Sequence, residues 1–195
     1  AFCAQLAPSV DHWIEWCSGK GHLGRAALFA GDVSAITSIE WQASLCDSGK
    51  ALAAQHQCPQ TFVHADVLNE DVSAYVTPEC GVMALHACGQ LHMELLALAR
   101  RQRASCVLVC PCCYHLIQGD DYQGMSQAAL HSGLRLSKLD LKLPLQQMVT
   151  TGARGQRLRE TELLWRISFS HYAQLAGVKA GYTSVPNFAK GLLSQ

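Results

Sequence analysis

The sequence of 195 residues has no excess of either charge, no long apolar run and no repeated or low-complexity segment. Fifteen lysines and arginines balance fifteen aspartates and glutamates, so composition alone does not indicate a nucleic-acid or membrane partner. No apolar run approaches the roughly 20 residues of a membrane-spanning helix, and the segment starting at Ala1 lacks a signal-peptide pattern. Because the sequence does not begin with Met, a fragment of a longer protein is one interpretation of it.

Cysteine, by contrast, is abundant, with ten residues. A disulfide-stabilised protein would be small and rich in loops, whereas this chain is long enough to bury a substantial core. We therefore expect reduced thiols and a cytoplasmic protein. Six cysteines lie in or beside apolar runs rather than in loops: Cys17, Cys46, Cys88, Cys106, Cys110 and Cys112.

Apolar runs of four to eight residues alternate with longer segments of helical period in the first 110 residues. This alternation predicts an α/β fold with a doubly wound, mostly parallel, Rossmann-like sheet covered by helices on both faces. A strand order of 3-2-1-4-5 is expected for such a sheet. The predicted strands cover 13–17, 35–39, 61–64, 82–86 and 106–110, and the predicted helices cover 23–30, 42–55, 67–75 and 91–103.

The pattern is less regular beyond residue 120. A helix over 123–131, an outer strand over 134–141, a surface loop over 151–155 and a helix over 156–176 are predicted there. We expect a single domain over 1–195, with its core at about 11–145 and a C-terminal helix and tail at about 156–195.

A glycine turn joins the first predicted strand to the first predicted helix. The segment from Gly19 to Gly24 matches the pattern G-x-G-x-x-G, in which glycines let the backbone approach a cofactor at a helix N-terminus. Glu40 follows Gly19 by 21 residues, at the end of the second strand, where a carboxylate can bind ribose hydroxyls. A dinucleotide such as NAD satisfies this pattern, so an NAD-dependent oxidoreductase is one interpretation.

Three features favour S-adenosylmethionine over NAD. Glu15 lies in the first strand, where methyltransferases place an acidic residue that reaches the ammonium of the cofactor's methionine end. Asp66 ends the third strand, where a carboxylate can accept from the adenine amino group or cap the next helix. Too little chain remains for the separate substrate domain of a dehydrogenase.

Two boxes of cysteine and histidine follow the fourth and fifth strands. Leu85-His-Ala-Cys-Gly89 closes one strand, and Val109-Cys-Pro-Cys-Cys-Tyr-His115 closes the other. In the expected strand order, the carboxyl ends after Cys17, His86 and Cys110 lie side by side at the switch point, where ligands bind. Several thiols and two imidazoles should therefore meet where a methyl group would be presented.

The turn from Glu15, the box His86-Ala-Cys-Gly and the box Cys112-Cys-Tyr-His resemble a methyltransferase-like group that carries these three motifs. The resemblance runs from about residue 11 to 118, and a more distant one connects the chain to eukaryotic tRNA ribose 2′-O-methyltransferases. It implies a class I methyltransferase fold, S-adenosylmethionine as cofactor, and RNA as the slightly favoured acceptor, with protein and small molecules left open. Cys17 stands where many methyltransferases carry the first glycine of the turn.

The predicted catalytic residues are His86, Cys112, Tyr114 and His115. An imidazole or the phenol would take a proton from the acceptor, or the Cys112 thiolate would add to a pyrimidine ring. The predicted cofactor-binding residues are Glu15, Cys17, Gly19, Gly21, His22, Leu23, Glu40, Trp41, Asp66, Val67, His86, Ala87 and Cys88.

Two further interpretations use other residues. Cys110, Cys113 and His115, with Cys88 or His86, could supply four zinc ligands, but only one C-x-x-C pair is present, so no metal is predicted. Alternatively, a catalytically silent module could bind cofactor or RNA, with arginines contacting phosphate. These arginines, which also suit a solvated helix face, are Arg154, Arg157, Arg159 and Arg166.

Overall fold

A parallel sheet of five strands organises the N-terminal part of the chain in this computed structural model, which describes residues 9–31, 33–142, 152–178, 183 and 185. The strands are β1 (His12–Trp16), β2 (Ala35–Glu40), β3 (Gln60–His64), β4 (Cys80–Leu85) and β5 (Cys106–Cys110). Their order is β3-β2-β1-β4-β5, and every neighbouring pair is parallel. The predicted α/β fold and strand order are thereby confirmed, with the switch point between β1 and β4.

Helices cover both faces of this sheet, as the continuous apolar strands require. They are α1 (His22–Phe29), α2 (Ala43–Gln55) and α3 (Gln90–Gln102). Two further helices, α4 (Gln127–His131) and α5 (Ala153–Leu175), follow later in the chain. Alternate residues of β1 enter different cores: Trp13 packs with Ala27 of α1, whereas Ile14 and Trp16 pack with Leu95 of α3.

The chain divides into two compact units, Ala1–Leu145 and Gln146–Gln195. The sheet lies in the first unit, and α5 is the helix described in the second. The organisation as a single domain stays a prediction. Among the described helices, none combines the length and apolar character needed to cross a membrane.

Two predicted elements beyond β3 are wrong. A helix over 67–75 is replaced by a turn and a short 3₁₀ helix, Ser73–Tyr75. The Asp66 side chain accepts hydrogen bonds from the Leu68 N–H and the Asn69 amide, and such local bonds compete with helix formation. The outer strand over 134–141 is reduced to one bridge between Asp121 and Ser137.

The C-terminal helix begins earlier than predicted. The segment 151–155 was expected to be a surface loop, but α5 begins at Ala153, and Thr151 lies outside the described residues. The helix expected over 123–131 is shorter, Gln127–His131, and begins where the Ser126 hydroxyl accepts from the Ala129 N–H.

A buried polar cluster lies between α1 and the first three strands. Its members are Glu15, Arg25, Ser38 and Gln60, none more than 7% exposed. Glu15 Oε2 accepts from Ser38 Oγ at 2.7 Å and from Gln60 Nε2 at 3.1 Å. Gln60 also donates to the Gly21 carbonyl at 3.0 Å and accepts from Arg25 Nη1 at 3.1 Å. The cluster therefore joins three strands to the first turn of α1.

Burial raises the pKa of Glu15, although the Ser38 hydroxyl, the Gly24 and Leu23 N–H groups and the Arg25 charge all oppose that rise. A raised pKa in the folded state means that folded protein binds more protons than unfolded protein above the ordinary carboxyl pKa of 4.5. This carboxyl group therefore contributes stability below that pH, and the contribution is lost as pH rises through the raised pKa.

We predict that wild type loses free energy of unfolding relative to Glu15→Gln as pH rises from about 4.5 toward neutrality. The amide does not titrate, so any fixed difference in its hydrogen bonds leaves the slope unaffected. Urea denaturation of both proteins over this pH range measures the difference. The buried position of Glu15 would be contradicted if the difference in free energy of unfolding were constant with pH, or if wild type gained stability relative to Glu15→Gln as pH rises.

Candidate functional site

A cavity of about 450 Å³ opens at the carboxyl ends of β1, β2 and β3. Its volume is in the range of small-molecule sites, and its wall is mostly apolar. The lining residues are Cys17, Gly19, Ile39, Glu40, Trp41, Gln42, Leu45, Ala65, Asp66, Val67, Leu68 and Leu91.

Glu40 is the charged residue most firmly fixed in this wall. Its side chain is 4% exposed, and its Oε2 accepts from the Gly19 N–H at 2.8 Å. Its Oε1 accepts from the Gln42 N–H at 2.9 Å. Because each carboxylate oxygen has two lone pairs, both can accept one further hydrogen bond from a ligand hydroxyl.

The turn after β1 uses left-handed backbone conformations. Gly19 has φ +56°, and a Cβ atom added there would meet no heavy atom within 4 Å. Cys17 has φ +52°, a left-handed conformation that costs an L-residue roughly 1–2 kcal/mol and that glycine would adopt without this cost. Burial raises the pKa of Cys17 to about 12, helped by Glu40 and Asp66. Cys17 therefore lines the cavity as a neutral thiol.

Trp41 and Asp66 stand at the side of the cavity formed by β2 and β3. The indole is 61% exposed and can stack on a flat ring. Hydrogen bonds from the Asn69 amide and the Leu68 N–H hold the pKa of Asp66 below its ordinary value. Asp66 is thus an ionised acceptor that stabilises a turn and lines the cavity.

The two boxes meet in a cluster of thiols beyond β4 and β5. Cys88 Sγ lies 3.2 Å from Cys112 Sγ, and Cys112 Sγ lies 3.6 Å from Cys113 Sγ. His86 Nδ1 is 3.3 Å from Cys112 Sγ. Hydrogen bonds to Cys88 and Cys113 raise the pKa of the Cys112 thiol to about 12. The predicted pair His86 and Cys112 is therefore in contact.

The pKa of Cys88 moves in the other direction. Burial acts to raise it, but the N–H groups of Cys112 and Cys113, each 3.2 Å from Cys88 Sγ, and the two neighbouring thiols outweigh that effect. The pKa of Cys88 consequently lies below its ordinary value.

Gly89 fixes the position of one box against the other. A Cβ atom at Gly89 would lie 1.9 Å from the Leu116 carbonyl oxygen, and the backbone has φ +59°. The Gln90 N–H donates to the same carbonyl at 2.8 Å. Only glycine permits this approach of α3 to the segment after β5.

The predicted residues Tyr114 and His115 follow the thiol cluster. Tyr114 packs edge to face on His92, with ring centroids 5.8 Å apart, and both residues line an apolar cavity of about 380 Å³. The Nδ1 atom of His115 is buried without a hydrogen-bond partner among the described residues.

The structure brings six of the predicted cofactor-binding residues to the 450 Å³ cavity: Cys17, Gly19, Glu40, Trp41, Asp66 and Val67. The others lie elsewhere. Glu15 belongs to the buried polar cluster, and Gly21, His22 and Leu23 begin α1. His86, Ala87 and Cys88 form the loop after β4, with Ala87 fully buried in the core.

Sequence reasoning missed several residues. Leu45, Leu68 and Leu91 line the cavity, and their helical or apolar pattern gives no sign of this because core leucines look the same. Gln60, which joins Glu15 to α1, stands in a plain strand pattern and becomes visible only when the strands are paired.

The family model described as a methyltransferase domain matches residues 2–120, a range that includes the glycine turn and both boxes. No curated protein has significant sequence similarity to the chain.

Solved structures with similar coordinates have low sequence identity. A putative caffeoyl-CoA O-methyltransferase from Staphylococcus aureus is 16% identical, with a TM-score of 0.45 over 59% of this chain and 57% of that chain. An rRNA methylase from Streptococcus thermophilus is 11% identical, with a TM-score of 0.43 over 56% and 67%. A mycolic acid cyclopropane synthase solved with SAH is 14% identical, with a TM-score of 0.41 over 51% and 36%.

The chain spans about half the length of other solved structures that it matches, 48% and 44% in two cases. The family match, in contrast, covers more than half of the 195 residues. It confirms the class I methyltransferase identified from the motifs, with S-adenosylmethionine as the cofactor of its class. The chain therefore belongs to the methyltransferase-domain family.

Proposed function

We propose that this domain binds S-adenosylmethionine in the cavity beside Glu40 and transfers its methyl group to an acceptor at the rim formed by the two boxes. The observation that carries the proposal is the geometry of Glu40. Its two oxygens accept from the N–H groups of two residues that line the cavity, Gly19 and Gln42, and each oxygen keeps a lone pair for a ribose hydroxyl.

The remaining wall suits the other parts of the cofactor. Trp41 offers a face for adenine, and Asp66 offers a carboxylate for its amino group. The open space at Gly19 allows the methionine portion to pass close to the backbone. Glu15 acts behind this turn by positioning α1, and it contributes to cofactor binding through that turn.

Methyl transfer from a sulfonium is a displacement that depends chiefly on holding the acceptor in line with the methyl group. A hydroxyl acceptor must also lose its proton. His86 is exposed at the carboxyl end of β4 and is our first candidate for this base, with His115 and Tyr114 behind it. The Cys112 thiol is hydrogen-bonded to the thiols of Cys88 and Cys113. Because its raised pKa keeps it protonated, it is disfavoured as a nucleophile.

RNA is the acceptor class that we propose, in the cytoplasm. The distant resemblance of the boxes to tRNA ribose 2′-O-methyltransferases supports it. Arg154 and Arg157 are exposed on α5 and could contact phosphate, whereas Arg166 is paired with Glu162 at 2.7 Å.

Gly19→Arg should abolish cofactor binding because the new side chain would fill the open space beside Glu40. We predict that the Kd for S-adenosylmethionine rises by about 100-fold or more in isothermal titration calorimetry. Gly31→Arg is the matched control, since Gly31 also has a positive φ, +68°, and free space around it, but lies after α1. Equal losses in the two variants would count against the proposed site.

Glu40→Gln should weaken binding of both S-adenosylmethionine and S-adenosylhomocysteine by about 10-fold to 100-fold, the effect of losing a charge-assisted hydrogen bond. Glu79→Gln, an exposed change before β4, should leave both affinities unchanged. Thermal unfolding of each variant without ligand separates a loss of affinity from a loss of fold. Undiminished binding by Glu40→Gln would overturn the role given to this carboxylate.

Transfer itself is tested with S-adenosylmethionine labelled at its methyl group and incubated with RNA, protein or small-molecule pools. We expect label in RNA with wild type and none with Gly19→Arg. Cofactor binding without transfer to any pool would favour the silent module. Binding of NAD without binding of S-adenosylmethionine would refute the methyltransferase proposal.

A further inference from the structure

We propose that Cys88, Cys112 and Cys113 bind a zinc ion, with His86 as the fourth ligand. The three sulfur atoms all lie within 4.8 Å of one another. Thiolates around a tetrahedral zinc at a Zn–S distance of about 2.3 Å are about 3.8 Å apart. The observed separations of 3.2 and 3.6 Å are about 0.6 and 0.2 Å shorter than this value, so a small outward movement of the Cys112 sulfur would let the three thiolates share one ion.

The surrounding backbone is arranged to orient one of these sulfurs. Cys88 Sγ accepts hydrogen bonds from the Cys112 and Cys113 N–H groups, both at 3.2 Å. Outer hydrogen bonds of this kind hold a ligand in place and offset the negative charge of a thiolate. The contact between Gly89 and Leu116 fixes the two segments relative to each other, so the ligand set does not depend on one flexible loop.

His86 stands in the position from which a nitrogen ligand can complete the tetrahedron. Its Nδ1 lies 3.3 Å from Cys112 Sγ, and nitrogen and sulfur ligands of one zinc ion are about 3.6 Å apart. The ring must turn toward the other two sulfurs to bind. The residue also has φ +63°, a strained conformation for a non-glycine residue, of a kind that clusters at functional sites.

The ligand set differs from the one considered from the sequence. Cys110 is not among the clustered thiols, because it lies at the end of β5 and lines a cavity with Leu23 of α1. Cys112 takes its place beside Cys113. We therefore revise the expectation of no metal, since three convergent thiols are a soft donor set that suits zinc and excludes magnesium or calcium.

An ion here would cross-link the loop after β4 to the loop after β5. Cys17, which lines the 450 Å³ cavity, packs against the core cluster that contains Ala87, the residue before Cys88, so the cross-link would border that cavity. The ion would stabilise the rim at which the acceptor is proposed to arrive. With His86 bound to the ion, the acceptor's proton would pass to His115 or Tyr114 instead.

The test is metal content measured by mass spectrometry on the whole chain purified under reducing conditions without chelator. We expect about one zinc per chain, and the same stoichiometry when chelator-treated protein is reloaded with Zn²⁺ alone. Cobalt substitution should give the absorption of a tetrahedral thiolate site. Cys112→Ser, an exposed position, and Cys113→Ser should lose the metal, and His86→Ala should bind it at least about 10-fold more weakly.

Cys110→Ser and Cys58→Ser are the matched controls and should retain zinc. Circular dichroism of every variant shows whether it has folded, and Cys112→Ser serves where the buried Cys88→Ser does not fold. Absence of zinc uptake by folded, reduced wild type would overturn the proposal. Zinc uptake that is lost in Cys110→Ser but kept in Cys112→Ser would also overturn it. The same holds if the protein contains iron with sulfide in place of zinc, or if a Cys88–Cys112 disulfide forms in protein that takes up no metal after reduction.

Discussion

The buried polar cluster around Glu15 is the constraint on which the carboxyl edge of the sheet depends. Gln60 reaches Glu15, Ser38 and the Gly21 carbonyl at the same time, so β1, β2, β3 and α1 share one set of hydrogen bonds. A buried ionisable group is tolerated only when such partners are present. Because α1 starts from this cluster, the turn before it is held where the Gly19 N–H can donate to Glu40.

Backbone conformation contributes as much to the site as side-chain chemistry. Cys17, Gly19, His86 and Gly89 all have positive φ values, and all four lie within four residues of the end of β1 or β4, the strands at the switch point. These sharp turns let β1 and β4 end abruptly and leave the ends of both strands open to a ligand. At Cys17 the conformational cost is offset by the hydrogen bonds that join β1 to β2 and β3.

The sequence was sufficient to predict the five strands, their order, Glu40 and Asp66 at strand ends, and the meeting of the two boxes. Those predictions rest on periodicity and on the topology of parallel sheets, which are local or general properties. Gln60 and the direction of Glu15 could not be predicted, because they depend on which strands pair and on which face each side chain occupies. The helix over 67–75 failed because Asp66 and its neighbours satisfy the backbone in a turn. The choice of Cys112 over Cys110 in the thiol cluster likewise depends on how the chain turns after Pro111.

The contact of Gly89 with the Leu116 carbonyl has a consequence for how such sequences can diverge. A residue inserted in the segment after β5 would move that carbonyl and leave the Gln90 N–H without its acceptor. A larger residue at position 89 would require the same carbonyl to retreat. Neither box can therefore change in length or in side-chain size alone. A change near Gly89 requires a matching change near Leu116, although these segments lie more than twenty residues apart in the chain.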